Sequence, residues 1–450
     1  MTMGIKETIW VGITVMVVSG CQQYKSAQTS IPAEVPVKKE MLPFQVLRNA
    51  SDLDILIDRI GSSHFVLLGE ASHGTSEFQT WRAEISKRLI KEKDFNVIVV
   101  EGDFDEFISI NEFIHADAGS NDLAQGELTK LKRWPMWMWQ TKEFALFLED
   151  IQSLNRTRKD KVNIYGMDLY GIGASLEAIQ ARVHDSVTAI KIREAKSCYQ
   201  RFWDSALAYS TAVHDKVANC STEMQNLKKI IDRIKKLDNR NEDFLLQQYI
   251  QTAFNGERYF RTIVYNQATS WNIRDQHFLE TIERLVQLHG KKTKLIVWAH
   301  NSHVGDAAFT DMPQRGRTNL GELLRRKYGE ADVFLVGFGM YMGSVLAAEK
   351  WNNIQHIYTL PPAYKGSWEE LLHRLGEGDK LIFSEDIRKT VAYNHWYDQR
   401  AVGVLYHPDR PRSSYVPSFV SKRYNAFIFI DSSHATHPAI RDESAANVRR

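Results

Sequence analysis

The chain has 450 residues, 43% hydrophobic and 25% charged, a globular composition that excludes a disordered or fibrous protein. Lys and Arg number 57 against 55 Asp and Glu, and this net charge of +2 excludes a nucleic-acid binder of the usual basic kind. Three cysteines exclude a disulfide scaffold or a Cys-rich zinc protein.

Residues 1–20 carry Lys6 and then an apolar run from Ile9 to Val18, too short for an ordinary membrane span but suited to the core of a signal peptide. Val18-Ser19-Gly20-Cys21 resembles the lipobox of bacterial lipoproteins, so Cys21 is expected to carry lipid and to become the first mature residue. That address places the protein in the cell envelope, held to a membrane by its N-terminal lipid. Gln22 favours the outer membrane by resemblance to known sorting rules. Residues 21–44 are polar with prolines and read as a flexible tether. Cys198 and Cys220 remain, and an oxidising compartment permits them to pair, but spacing does not supply the Cα separation a disulfide needs.

An α/β architecture follows from the elements in chain order. Phe65-Val66-Leu67-Leu68-Gly69 is a buried strand ending in glycine. Thr75 to Glu92 is helical, with Phe78, Trp81, Ile85 and Leu89 on one face. Asn96 to Gly102 is nearly all β-branched and apolar, as in a parallel strand covered on both faces. Helices follow over Phe104–Ile114 and Thr141–Asn155, then a strand over Val162–Asp168. Strand–helix alternation of this kind builds a mostly parallel sheet flanked by helices, placing a first core segment at 45–174. Between 175 and 290 Gly and Pro nearly vanish, and Glu223–Lys236 and Asp243–Thr262 read as long helices of an insertion subdomain. Strands resume at Lys294–His300, Val333–Gly339 and Asn425–Asp431, with a helix over Asn319–Tyr328, giving a second core segment at 291–438 and a polar tail at 439–450.

Charged and imidazole side chains gather at the C-terminal ends of these strands, the edge where open α/β sheets bind ligands. They are Glu70 and His73, Glu101 and Asp103, Asp168, and His300 and His303. No G-x-S-x-G elbow occurs, which sets aside serine hydrolysis of the usual α/β type. Two chemistries stay open. Glu70, His73, Glu101, His300 and His303 are acceptable ligands for a divalent metal. Alternatively His73 is a general base on water, with a carboxylate orienting it and Arg and His groups binding the oxyanion. Asp103 and Asp168 are read as helix N-caps. Trp134, Trp137 and Trp139 are either core or an apolar wall for a bulky substrate.

The run Gly69-Glu70-Ala71-Ser72-His73-Gly74-Thr75-Ser76-Glu77-Phe78 resembles the signature of the erythromycin esterase family. The likeness continues through Arg82, Val100-Glu101-Gly102-Asp103, Arg133-Trp134-Pro135-Met136-Trp137-Met138-Trp139 and Tyr165-Gly166-Met167-Asp168. Further on it includes Asn272-Ile273-Arg274-Asp275, Trp298-Ala299-His300-Asn301-Ser302-His303 and Asn319-Leu320-Gly321, so that it spans roughly residues 45–435. The resemblance implies hydrolysis of a carboxylic ester, the lactone of macrolides, by activated water without a covalent intermediate or a cofactor, and with it macrolide resistance. It implies His73 as the base, Glu70 and Arg82 as essential partners, and Glu101, Arg274, His300 and His303 as polar groups lining the same cleft. The alternatives are a metal-dependent hydrolase of another envelope or environmental ester, and an envelope binding protein that keeps the cleft without turnover. His434 and His437 depart from the family's pattern and are left outside the site.

Overall fold

Phe65-Val66-Leu67-Leu68 has no polar side chain to show solvent on either face, so it is stable only between two covering layers. In the computed structural model, which describes residues 41–116, 123–203, 205–234 and 239–439, it lies near the middle of a sheet. The signal segment, Cys21, the tether up to residue 40 and the tail from 440 lie outside the described residues.

The strands are β1 (Gln45–Val46), β2 (Phe65–Leu68), β3 (Val97–Asp103), β4 (Asn163–Asp168), β5 (Leu295–Trp298) and β6 (Val333–Ala348). They continue with β7 (Gln355–Leu360), β8 (Lys380–Phe383), β9 (Tyr397–Arg400), β10 (Tyr415–Ser418) and β11 (Ala426–Ser433). The main sheet has the order β1-β8-β11-β6-β2-β5-β3-β4, with β7 paired to the far end of β6. From β11 to β4 the neighbours are parallel. β1, β8 and β7 add antiparallel edges, and β9 with β10 makes a separate ribbon. The fold is thus α/β, with a mostly parallel sheet between helices.

Alternation along each strand divides the core in two. Val66, Leu68, Ile98, Val100, Ile296 and Trp298 face a layer of helices that includes Ser76–Lys93, Glu106–His115 and Lys142–Thr157. Phe65, Leu67, Val97, Val99, Leu295 and Val297 face the opposite layer, which includes Ile172–Arg182, Arg240–Thr262, Gln267–His289 and Leu320–Tyr328. The helix-rich stretch between residues 172 and 289 therefore covers one face of the sheet and shares its core. Helical periodicity shows an apolar stripe but not its partner, which is why the sequence reads this stretch as a helical insertion or subdomain.

Five strands are absent from the sequence reading. β1, β8, β9 and β10 are short and β7 is largely exposed, and no local pattern marks them. β6 is also longer than Val333–Gly339. Its continuation runs past the C-terminal edge of β2 and is bound there, with the Leu346 amide donating to the Gly74 carbonyl at 3.0 Å. A Cβ on Gly74 would stand 2.0 Å from the Leu346 carbonyl oxygen, so this position admits only glycine.

Cys198 and Cys220 form a disulfide with Cα atoms 5.7 Å apart, joining the helix Ser186–Tyr199 to the residue that precedes the helix Ser221–Ile231. The bridged residues are 22 apart in sequence. Closing a loop of that size in the unfolded chain stabilises the fold by about 3 kcal/mol. Double replacement of Cys198 and Cys220 by Ser should lower the melting temperature by several degrees, and reductant should do the same to the native protein only. A melting temperature indifferent to both would remove the disulfide from the stability of this layer.

Candidate active site

Glu70 stands two residues past the end of β2 and is 2% exposed. A carboxylate so buried needs counter-charges and donors. Its Oε1 accepts from His73 Nδ1 at 2.9 Å, and its Oε2 pairs with an Arg82 Nη at 2.6 Å. Arg82 comes from the second turn of the following helix, is 1% exposed, and lies over the Trp298 ring at 4.8 Å. Because a carboxylate only accepts, Nδ1 of His73 carries the proton and Nε2 is left as a basic lone pair. Gly69 makes room for this turn: a Cβ there would fall 2.1 Å from Oδ1 of Asn301. That Asn301 side chain bonds both the amide and the carbonyl of Phe338, while its amide donates to the Glu70 carbonyl at 2.8 Å. The loop bearing His73 is thereby stitched to β5 and β6 together.

A second cluster occupies the ends of β3, β4 and β5. Arg274, from the helix Gln267–His289, donates through Nε to Asp168 at 2.9 Å and through one Nη to Asp168 and Glu101 at 2.5 and 2.9 Å. Asp168 and Glu101 stand on neighbouring strands, and one Nη of Arg274 bridges them while Nε holds Asp168. The other oxygen of Glu101 accepts from the His300 amide at 2.8 Å. Burial opposes the Glu101 charge, but His303 and Arg274 outweigh it and hold the carboxyl well below the usual range.

His303 Nδ1 lies 2.9 Å from Asp275, which is fully buried, and its Nε2 lies 3.4 Å from Glu101. Burial works against the imidazolium, but these two carboxylates push the ring up to about 9. The 3.0 Å approach of an Arg274 Nη to Nε2 would be a hydrogen bond only with a neutral ring. Two carboxylates outweigh one guanidinium, and we take the charged ring as the resting form. The ring is further enclosed by Trp271, stacked at 4.6 Å, and Phe278.

The two clusters meet at His300, whose ring centroid is 5.0 Å from that of His73. Glu70, His73, Arg82, Glu101, Arg274, His300 and His303 therefore assemble at one sheet edge. Among the described residues no group of three His, Cys, Asp or Glu side chains is arranged to hold a metal ion.

Asp103 and Asp168 do not cap helices. Asp105 and Gly171 hold those positions, while Asp103 pairs with Arg133 and Asp168 with Arg274. Both aspartates turn inward because a cation awaits them from another segment, which sequence spacing does not reveal. Burial nonetheless drives the Asp103 carboxyl well above its usual range.

The three tryptophans separate. Trp137 and Trp139 are 4% and 6% exposed and belong to the core of one helical layer, although Trp139 also borders a small cavity beside Glu101 and Asp103. Trp134 reaches the surface and packs against Trp351 at 4.4 Å, with its Nε1 donating to the Asn353 carbonyl at 3.0 Å. Trp351 lies in the turn between β6 and β7, so that hairpin touches both the His73 loop and Trp134. Asp275 and Ser302 also escaped assignment, although both sit inside motifs beside Arg274 and His303.

Fold and site together define an α/β protein whose sheet edge gathers a buried Glu–His–Arg set and which has no serine elbow. A family model described as erythromycin esterase matches residues 90–433, and the chain belongs to that family. Erythromycin esterase type II of Escherichia coli is 27% identical over 152 residues, which is 33% of this chain and 34% of that protein. The match thus spans about a third of the relative's length. Among solved structures, a Bacillus cereus protein aligns at a TM-score of 0.70 with 20% identity, over 88% of this chain and 96% of that one. A succinoglycan biosynthesis protein aligns at 0.70 with 16% identity, over 88% and 95%. An erythromycin esterase mutant, EreC in its open conformation, aligns at 0.68 with 17% identity, over 88% and 100%. These structures share the fold.

The charged His303 makes a prediction for stability. Its folded value of about 9 lies above the ordinary 6.5, so its contribution is complete below 6.5 and is lost as pH rises through 9. The melting temperature of the wild type should fall across that window, and His303→Gln should flatten the fall. An unchanged slope in the variant would mean that His303 is neutral in the folded protein.

Proposed function

We propose that this chain hydrolyses a carboxylic ester or a macrolide lactone with water activated by His73. The observation that carries the reading is the buried Glu70–His73 pair, 2.9 Å apart, backed by Arg82. Glu70 fixes the tautomer and orientation of His73 and balances the imidazolium that forms when Nε2 takes a proton from water. Arg82 pairs with Glu70 and holds it in place. Family membership supports a hydrolase, and the macrolide lactone is the finer proposal.

His73→Ala and Glu70→Gln should each reduce turnover by about 10²- to 10⁴-fold, the usual contribution of a positioned base. The assay is mass spectrometry of a macrolide panel incubated with the mature chain, read as gain of one water. Gain of water with His73→Ala as with wild type would remove His73 from the chemistry. Loss of activity in chelator, with restoration by one ion, would favour the metal-dependent alternative.

We also propose a lipid anchor at Cys21 in the cell envelope. The Cys198–Cys220 disulfide supports an oxidising compartment, where such bonds persist. Cys21→Ser should move the protein from the membrane to the soluble fraction, and an unchanged distribution would discard the anchor.

A further inference from the structure

His300 is 6% exposed and stands at the head of the short helix Asn301–Val304. Its Nδ1 accepts the Ser302 amide at 3.2 Å and lies 2.8 Å from the Ser302 hydroxyl. A backbone N–H can only donate, so Nδ1 is the bare nitrogen of the ring. A neutral imidazole then has its single proton on Nε2. That nitrogen is buried and has no hydrogen-bond partner within normal geometry among the described residues. The Ala71 carbonyl, which accepts the Val402 amide at 2.6 Å, is near the ring, but no contact between it and Nε2 meets hydrogen-bond geometry. Burial, reinforced by His73, lowers the ring to about 3, so His300 does not become a cation at neutral pH. Buried polar groups almost always find partners, and an orphan beside the base is a group waiting for a ligand.

We infer that the Nε2–H of His300 is the donor that receives the ester carbonyl oxygen as it becomes an oxyanion. The inference rests on the ester reading and adds to it the residue that stabilises the transition state. The two histidines face one another with opposite tautomers. Glu70 places the His73 proton on Nδ1 and leaves Nε2 as a base, whereas Ser302 places the His300 proton on Nε2 and leaves it as an acid-type donor. In the step, the water oxygen bonds to the carbonyl carbon and its proton passes to Nε2 of His73. The carbonyl π pair moves onto oxygen, facing His300 Nε2–H. Collapse of the tetrahedral intermediate breaks the carbon–oxygen ester bond, and the departing alkoxide takes the proton from His73. Atoms and charge balance with water as the sole co-reactant.

Three proteins test this: wild type, His300→Asn and His300→Gln. Asparagine is a favoured N-cap and can still accept the Ser302 amide, but it does not reach the Nε2 position. Glutamine carries an amide N–H close to that position. With phenyl acetate as substrate, His300→Asn should keep its melting temperature and lose 10²- to 10³-fold in kcat with little change in KM. The pH midpoint assigned to the base should stay in place, and His300→Gln should recover part of the rate. Nitrogen-15 histidine spectra, with His300→Asn for assignment, should show Nε2 protonated and Nδ1 bare from pH 5 to 9. A wild-type rate in His300→Asn, disappearance of the base's pH limb in that variant, or a protonated Nδ1 would each overturn the inference. Wild type that hydrolyses no ester would instead defeat the ester reading. Binding of butyl methylphosphonate, an anionic tetrahedral mimic, then decides about the donor. Stabilisation of wild type and His300→Gln but not His300→Asn supports it, and equal stabilisation of all three overturns it.

Discussion

Arg274 is the counter-charge that lets two adjacent strands end in buried carboxylates. Asp168 and Glu101 are 1% and 7% exposed, and two carboxylates buried on adjacent strands need a cation between them. The fork of Arg274 meets both and stands beside His303. Much of the site depends on this arrangement. With Glu101 ionised and fixed, its second oxygen is free to hold the His300 amide, and that bond sets the start of the helix Asn301–Val304. With His303 held by Asp275, and the Leu320 amide bonded to the same carboxylate, the helix Leu320–Tyr328 is tied to the site as well.

A second constraint comes from the loop between β2 and its helix. Gly69 is pressed on Asn301 and Gly74 on the Leu346 backbone, so the segment carrying Glu70 and His73 is clasped from both ends by other strands. The clasp near Gly74 belongs to the overhanging part of β6, whose hairpin with β7 reaches Trp134 through Trp351 and Asn353. The base is therefore positioned by contacts with residues far away in sequence, and its geometry is a property of the whole sheet edge.

This explains what could be read from the sequence and what could not. The strands β2 to β5 announce themselves because both faces are covered and their runs are apolar up to the polar C-terminal ends. The site residues announce themselves because polar groups follow those strands at once. β6 beyond Gly339, β7 and β8 are silent because they are short or largely exposed and are held by pairing that their own sequence does not mark. Asp103 and Asp168 look like caps because they follow strands and precede helices. Their real partners, Arg133 and Arg274, are visible only once the chain has folded. The disulfide is silent for the same reason, since two helices had to bring Cys198 within reach of Cys220.

The same contrast separates the two histidines at the centre. Both follow short apolar strands and both are 6% exposed, and nothing in the strand-to-loop pattern alone distinguishes their tautomers. The difference lies in what touches Nδ1. A carboxylate there makes the far nitrogen a base, and a backbone amide there makes it a donor. Hydrolysis by water needs one of each, since the proton removed from the nucleophile and the charge gathered on the carbonyl oxygen appear on opposite sides of the reacting carbon. A fold that sets two imidazoles 5.0 Å apart with opposed tautomers supplies both roles from one residue type, provided that neither ring is free to rotate. Glu70, Arg82, Glu101 and Ser302 are the groups that remove that freedom.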